Sequence, residues 1–572
     1  MTEFVSLSTD FENDLKNIEI PFPDYPRPQL KRDSYLCLNG EWNFRIENRG
    51  VTVFNGSITV PFVPESRISG VMREIKEDDL LIYECKVTLL DSFIKDRILL
   101  HIGACDQYAD VYVNGKPVGR NVGGYLSFGF DITDVAVIGE NIIKIVACDP
   151  LCLDLPYGKQ TNKRGGMWYT KISGIWQTVW LESVCENYIE NIKITPDLCG
   201  VDICVTGGKE EKTLRLHGKE YHFTGENFRL DIEEPHLWSP EDPYLYEFEL
   251  VSGQDIVRSY FGLRTVEIKT VNETPLICLN GKPLFFNGLL DQGYFSDGIF
   301  LPASSRGFEE DILKMKKCGF NMLRKHIKLE PDIFYYFCDK YGMLVFQDMI
   351  NSGKYSFILD TALPTVFLKK GISHRANKTR RLAFENTCKG IIDNLYNHPS
   401  VVYYTIFNEG WGQFDADKYY DVFRSIDKTR VWDTTSGWFK TKKSDVESEH
   451  IYFKPIKLRK SERPLVLSEF GGYSCKIKEH SFNLDKTYGY RYFDDVRKFE
   501  DALVSLYENE IQPSLKNGLC AAVLTQLSDV EDETNGLLTY DRKVIKVNTE
   551  RIKKMSEQLY SEFDSLYKSA KE

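Results

Sequence analysis

Two glutamates close apolar runs that read as buried strands. Val401-Val402-Tyr403-Tyr404-Thr405-Ile406-Phe407 ends in Asn408-Glu409, and Pro464-Leu465-Val466-Leu467-Ser468 ends in Glu469-Phe470-Gly471-Gly472. A strand buried on both faces has no packing reason to finish in an acid. Two such acids, converging from different strands, make the pair that cleavage of a glycosidic bond requires. One protonates the leaving oxygen and the other attacks the anomeric carbon. A single glutamate at a strand end is most simply the start of a solvated loop; two at the same end of one sheet are harder to explain that way.

The elements that would position them begin near residue 280, where the rhythm of the chain changes. Phe308, Ile312 and Met315 fall on one face of a helix that should stop at Gly319, and Phe320-Asn321-Met322-Leu323 follows. Ile333, Phe334, Phe337, Cys338 and Tyr341 repeat the helical spacing, Gly342 ends it, and Met343-Leu344-Val345-Phe346 follows. Alternating helix, glycine and apolar strand predict a parallel sheet covered on its outer face. Further strands are expected at 401–407, 431–434, 465–468 and 519–527. Residues 273–572 are then of TIM-barrel size, and barrel active sites lie at the C-terminal strand ends.

Upstream the pattern is β. Ile98-Leu99-Leu100-His101-Ile102 and Asp110-Val111-Tyr112-Val113 are short runs bounded by turn residues, and Asn114-Gly115 predicts a type I′ hairpin. Gly174 to Leu181 alternates, with Trp and Val on opposite faces. Residues 1–184 are expected to form a jelly roll and 185–272 an immunoglobulin-like sandwich. The fold class is therefore multidomain β plus α/β.

The 572 residues carry 84 acidic and 72 basic side chains, are 42% hydrophobic and 13% aromatic, and have a net charge of −12. That content excludes a mainly unfolded chain. The acidic balance offers no footprint for nucleic acid, and no apolar run approaches a membrane span. Acids stand in the N-terminal stretch where a secretory leader would be basic and then apolar. The 14 cysteines are scattered, and Cys148 and Cys152 have no matching second pair. A cytoplasmic protein with buried thiols is expected, without membrane or nucleic-acid partners; the aromatic surplus is compatible with a homo-oligomer.

Several motifs point the same way. They are Tyr25-Pro26-Arg27-Pro28-Gln29-Leu30, Leu38-Asn39-Gly40-Glu41-Trp42, Ser173-Gly174-Ile175-Trp176-Gln177, and Asn397-His398-Pro399-Ser400 through Asn408-Glu409. Through them the chain resembles, over nearly its whole length, glycoside hydrolase family 2, that of β-galactosidases and β-glucuronidases. It departs from the acid/base signature at Tyr404, where tryptophan is usual. The resemblance implies Glu409 as general acid/base and Glu469 as nucleophile of a retaining double displacement. It implies Asn408 at the sugar 2-hydroxyl, Arg324 bracing the nucleophile, and Tyr452 of His450-Ile451-Tyr452 touching it. Trp438 is a candidate platform beneath a sugar ring, and Gln526 stands where many members carry tryptophan. Asp291, Gln292 and Asp348 are candidates for binding hydroxyls. For each of these lesser residues a core or loop role is the competing use.

Departures bear on the substrate. The family's Arg-x-x-His-Tyr-Pro motif reads Arg324-Lys325-His326-Ile327-Lys328 here, and the Asn-x-Lys clamp of β-glucuronidases reads Glu533-Thr534-Asn535. This argues against a standard β-glucuronidase, with Lys325, His326 or Lys328 as alternative positive groups. The magnesium ligands of large β-galactosidases are replaced near Ser352 and Lys354, so no metal and no cofactor is expected. The expectation is an exo-β-glycosidase acting on a small glycoside or oligosaccharide, with a β-galactoside first. A β-glucuronide or other hexuronide and an α-L-arabinofuranoside stand behind it. A catalytically silent carbohydrate-binding protein is the competing class.

Overall fold

A computed structural model describes residues 5–362 and 374–568. Eight parallel strands form the catalytic-size domain: β1 (Phe286–Asp291), β2 (Met322–Lys325), β3 (Leu344–Asp348), β4 (Val401–Asn408), β5 (Val431–Ser436), β6 (Glu447–Ile451), β7 (Leu465–Gly471) and β8 (Leu519–Thr525). They pair in the order β5-β4-β3-β2-β1-β8-β7-β6. The Ser448 hydroxyl of β6 reaches the Thr435 carbonyl of β5 at 3.4 Å, bringing the two ends together into a barrel.

Every residue of β1 to β5, β7 and β8 is buried. Their apolar runs are continuous because side chains fill the interior while helices cover the outside. Helix Arg306–Lys317 buries Phe308, Ile312 and Met315, as its spacing predicts. Helix Asp332–Tyr341 ends at Gly342 with φ of +70°, and a Cβ there would lie 2.6 Å from the Pro240 carbonyl oxygen. Only glycine serves as that cap.

The structure differs from the sequence expectation in three places. The strand expected at 320–323 runs from Met322 to Lys325, which puts Arg324 and Lys325 on β2 rather than after it. Strand β6 breaks the apolar pattern with Glu447 and Glu449, and no helix separates it from β7. Third, Val179–Val184 is buried on both faces instead of alternating, with Trp180 stacked on His101 at 4.8 Å.

The N-terminal domain packs a six-stranded sheet and a four-stranded sheet around Trp42, Phe44, Tyr83, Leu100 and Ile145. Asn114 and Gly115, both at positive φ, close its hairpin as expected. A second sandwich of three and four strands encloses Ile192, Ile203, Leu214 and Leu250.

Glu182 ties these parts together. It accepts from Tyr25 at 2.5 Å, Arg27 at 2.5 Å, Arg32 at 3.1 Å and the Trp180 indole at 3.0 Å. Arg32 continues to Asp255 of the second sandwich at 2.9 Å. Burial alone would raise the Glu182 pKa, but Arg27, His101 and Arg32 outweigh it and bring it down to about 2. Replacing Glu182 by alanine leaves the partly exposed Arg27 without its acid, Arg32 paired with Asp255 alone, and the buried Tyr25 hydroxyl and Trp180 indole without an acceptor. It is expected to cost about 1–3 kcal/mol in denaturant unfolding. A depressed folded-state pKa also sets a sign: the stabilisation is complete above the unfolded value of about 4.3 and fades as pH falls toward 2.

Candidate active site

Glu409 stands one residue beyond β4 with φ of +50°, in the left-handed region. Its amide donates to the Ser436 carbonyl of β5 at 2.8 Å. The turn carries the carboxylate to β6, where His450 Nδ1 lies 2.8 Å from Oε1. Glu469 lies inside β7. Its Oε1 accepts from Arg324 at 3.2 Å and its Oε2 from the Tyr452 hydroxyl at 2.6 Å. His450 Nδ1 is also 3.5 Å from Glu469 Oε2. One oxygen from each glutamate and this ring nitrogen all lie within 4.8 Å of one another. Among the described residues this is the one group of three such side chains compact enough to share an ion, although glycosyl transfer between two carboxylates calls for none.

The two carboxylates differ in setting. The Glu409 side chain is 15% exposed and that of Glu469 is 6% exposed, so Glu409 is the more accessible of the two. Burial would push the Glu469 pKa up, but His450, Arg324, His326 and the Tyr452 hydroxyl outweigh it and hold it below the ordinary range. In the nucleophile role that the family resemblance implies, Glu469 has to be ionised, so the acidic limb of kcat/KM should lie below about pH 4.3. Tyr452→Phe removes a donor to the charged form. It should move that limb to higher pH and lower kcat about 10-fold, measurable in a single pH–rate series.

Arg324 holds the framework. Besides Glu469 it reaches Asp348 at 3.0 Å, the Ser468 carbonyl at 2.9 Å and Asn408 Oδ1 at 2.9 Å. Its grip on Oδ1 leaves the Asn408 NH₂ group as the end able to meet a hydroxyl. Asp348 spends its other oxygen on His326 Nδ1 at 2.7 Å. Asp291 is bound to Lys325 at 2.6 Å and to the Gly293 amide at 2.9 Å. Both aspartates, candidates for hydroxyl binding, are thus engaged in the scaffold.

The basic cluster is likewise engaged. Lys325 also bonds Glu330 at 2.9 Å, while Lys328 bonds Glu330 at 2.8 Å and the Gly293 and Phe300 carbonyls at 2.6 Å. Burial, with Lys159 adding to it, brings the His326 pKa down to about 4, so its ring is neutral near pH 7. Gln292 donates to Gln526 at 3.0 Å. That leaves Gln292 Oε1 and Gln526 Nε2 buried without a protein partner. Trp438 is half-buried and meets His450 edge-on at 6.2 Å.

Sequence reasoning passed over Tyr490 and Asn351, and read Glu533 only as a departure from the uronate clamp. Tyr490 stacks on Tyr452 at 4.2 Å; the alternate tyrosines 488, 490 and 492 were the available signal. Asn351 carries both side-chain amide atoms buried without a partner. Glu533 is buried among the loops beyond β8, where it accepts from Asn535 at 3.0 Å and from the Tyr169 hydroxyl of the N-terminal domain. The next residue of that domain, Thr170, donates its amide to Glu531 at 2.9 Å. Tyr157 of the same domain donates to the Gly353 carbonyl at 2.7 Å. The jelly roll therefore reaches into the barrel mouth.

A parallel barrel with two glutamates facing each other at its C-terminal mouth, roofed by a β-domain, is a glycoside-hydrolase scaffold. The chain belongs to glycosyl hydrolase family 2: residues 269–544 match its TIM barrel domain, 187–264 its central domain and 75–184 its sugar binding domain. It is 28% identical to a β-galactosidase of Thermoanaerobacter pseudethanolicus over 44% of this chain and 37% of that one. It is 24% identical to a β-glucuronidase of Streptococcus agalactiae over 67% of this chain and 68% of that one. The chain matches 37%, 48% and 40% of the length of three curated relatives, less than half of each. In fold it is similar to a β-D-glucuronidase of Dictyoglomus thermophilum, with a TM-score of 0.72 at 18% identity, covering 93% of this chain and 98% of that one.

Proposed function

We propose that the protein is a retaining exo-β-glycosidase for a neutral terminal sugar, with a β-galactoside as the first candidate. The observation that carries this is the placement of Glu409 and Glu469 with oxygens inside 4.8 Å of each other. That spacing suits a nucleophile and an acid/base, which stand about 5–5.5 Å apart in retaining enzymes, and leaves no room for a water between them.

In the first step Glu469 attacks the anomeric carbon while Glu409 gives its proton to the departing oxygen. Water then enters on the Glu409 side, loses a proton to it, and releases the sugar with its configuration restored. The N-terminal strap at Tyr169 and Thr170 walls one side of the mouth and supports attack on a chain end. For the sugar, Lys325 and Lys328 are neutralised by Asp291 and Glu330, and Glu533 would oppose a uronate carboxylate. The relatives carry both names, β-galactosidase and β-glucuronidase, so the choice rests on these side chains alone.

A hexuronide is the second reading. Lys159, half-buried beside Tyr169, has no ion pair within 4 Å among the described residues, and its charge is felt at both His326 and Glu533. A panel of p-nitrophenyl glycosides, with Glu469→Ala as blank, separates the two. The β-galactoside should be cleaved, and NMR should show the β-anomer formed first. Cleavage of the β-glucuronide alone would replace the first reading by the second; an α-anomer formed first would overturn retention.

A further inference from the structure

His450 is held more completely than a sugar-binding side chain needs to be. Its side chain is fully buried, and four barrel strands besides its own place groups around the ring. Glu409 beyond β4 lies 2.8 Å from Nδ1, and Glu469 of β7 lies 3.5 Å from the same nitrogen. The Ser436 hydroxyl of β5 lies 2.9 Å from Nε2, and Arg324 Nη1 of β2 lies 3.4 Å from it. The ring fits because residue 437 is glycine: a Cβ there would stand 2.7 Å from the imidazole. The Ser436 hydroxyl gives its hydrogen to Ser468 Oγ at 3.0 Å and so accepts from Nε2, while the two carboxyl oxygens facing Nδ1 are acceptors and draw a ring proton to that nitrogen as well.

We infer that His450 is a positioning residue for the acid/base, an inference that rests on the roles proposed for Glu409 and Glu469. Nδ1–H fixes one oxygen of Glu409, so the proton to be transferred sits on the other. As the C1–O bond to the aglycone breaks and the bond from C1 to Glu469 forms, that proton passes to the leaving oxygen. Glu409 becomes a carboxylate, and the bond from His450 strengthens because it now meets a charged acceptor. In the second step water returns a proton to Glu409. His450 neither gains nor loses one.

This assigns His450 an effect that depends on the leaving group. An alkoxide must be protonated as it departs, whereas a dinitrophenolate need not be. The test measures kcat/KM, which reports the first step, for the methyl and 2,4-dinitrophenyl β-glycosides of the sugar the panel identifies. In His450→Leu the methyl glycoside should lose at least about 30-fold more than the dinitrophenyl glycoside, whose own loss reports the contact of the ring with Glu469. His450→Asn, whose amide can donate from near the Nδ1 position, should recover most of the loss. His450→Gln, which reaches instead toward the Nε2 position, should not. If the leucine variant does not fold, the Asn and Gln pair carries the comparison. Equal losses on both substrates, or equal behaviour of Asn and Gln, would overturn the assignment. Turnover surviving in Glu469→Ala would instead overturn the reading of the site beneath it.

Discussion

Glu469→Ala is expected to lower kcat by about 10⁴-fold or more on every substrate, with KM little changed. Losses of that order follow removal of a covalent nucleophile, because no other group can form the intermediate. The geometry leaves no substitute. Asp348 is held by Arg324 and His326, and Asp291 is held by Lys325. Unfolding is a poor alternative explanation, since the substitution leaves Arg324 with its contacts to Asp348, Asn408 and the Ser468 carbonyl. Steady-state kinetics with a thermal melt on the same sample checks both. A variant that melts normally and keeps more than about a hundredth of the activity would refute the nucleophile assignment.

Glu409→Ala is expected to divide substrates instead of silencing them. Alkyl glycosides should lose about 10²–10⁴-fold, the contribution of a positioned acid, while 2,4-dinitrophenyl glycosides should still form the glycosyl-enzyme. Its breakdown then limits turnover because water has no base. Azide needs none, so adding it should raise kcat and yield a glycosyl azide of retained, β configuration. An azide product of inverted configuration would place attack on the opposite face and exchange the roles of the two glutamates.

Much of this was legible in the chain. Buried parallel strands announce themselves by continuous apolar runs, and Val401 to Phe407 does so because both of its faces are covered. The same logic failed at β6, where Glu447 and Glu449 interrupt the run and no helix follows. The roles proposed for Glu409, Glu469, Arg324 and Tyr452 came from family motifs, and their side chains do converge at one mouth. Partnerships were not legible. Nothing in Arg324-Lys325-His326-Ile327-Lys328 tells that both lysines turn to Asp291 and Glu330 while Arg324 turns to the carboxylates. That depends on which side of β2 each residue faces and on charges that the fold, not the local sequence, brings alongside. Glu533 and Tyr169 are 364 residues apart, and their contact exists only because one domain roofs another.

The left-handed backbone at Glu409 has a consequence for how durable such a protein can become. Holding an ordinary side chain in that region costs about 1–2 kcal/mol compared with glycine, and here the side chain also faces a second carboxylate. Both costs sit on a residue assigned to the chemistry. Breeding for heat tolerance alone would therefore favour replacement of this glutamate early, and would produce tougher molecules that turn nothing over. A selection that demands turnover at each round closes that route and confines improvement to places such as the Glu182 junction, where robustness and reactivity do not compete.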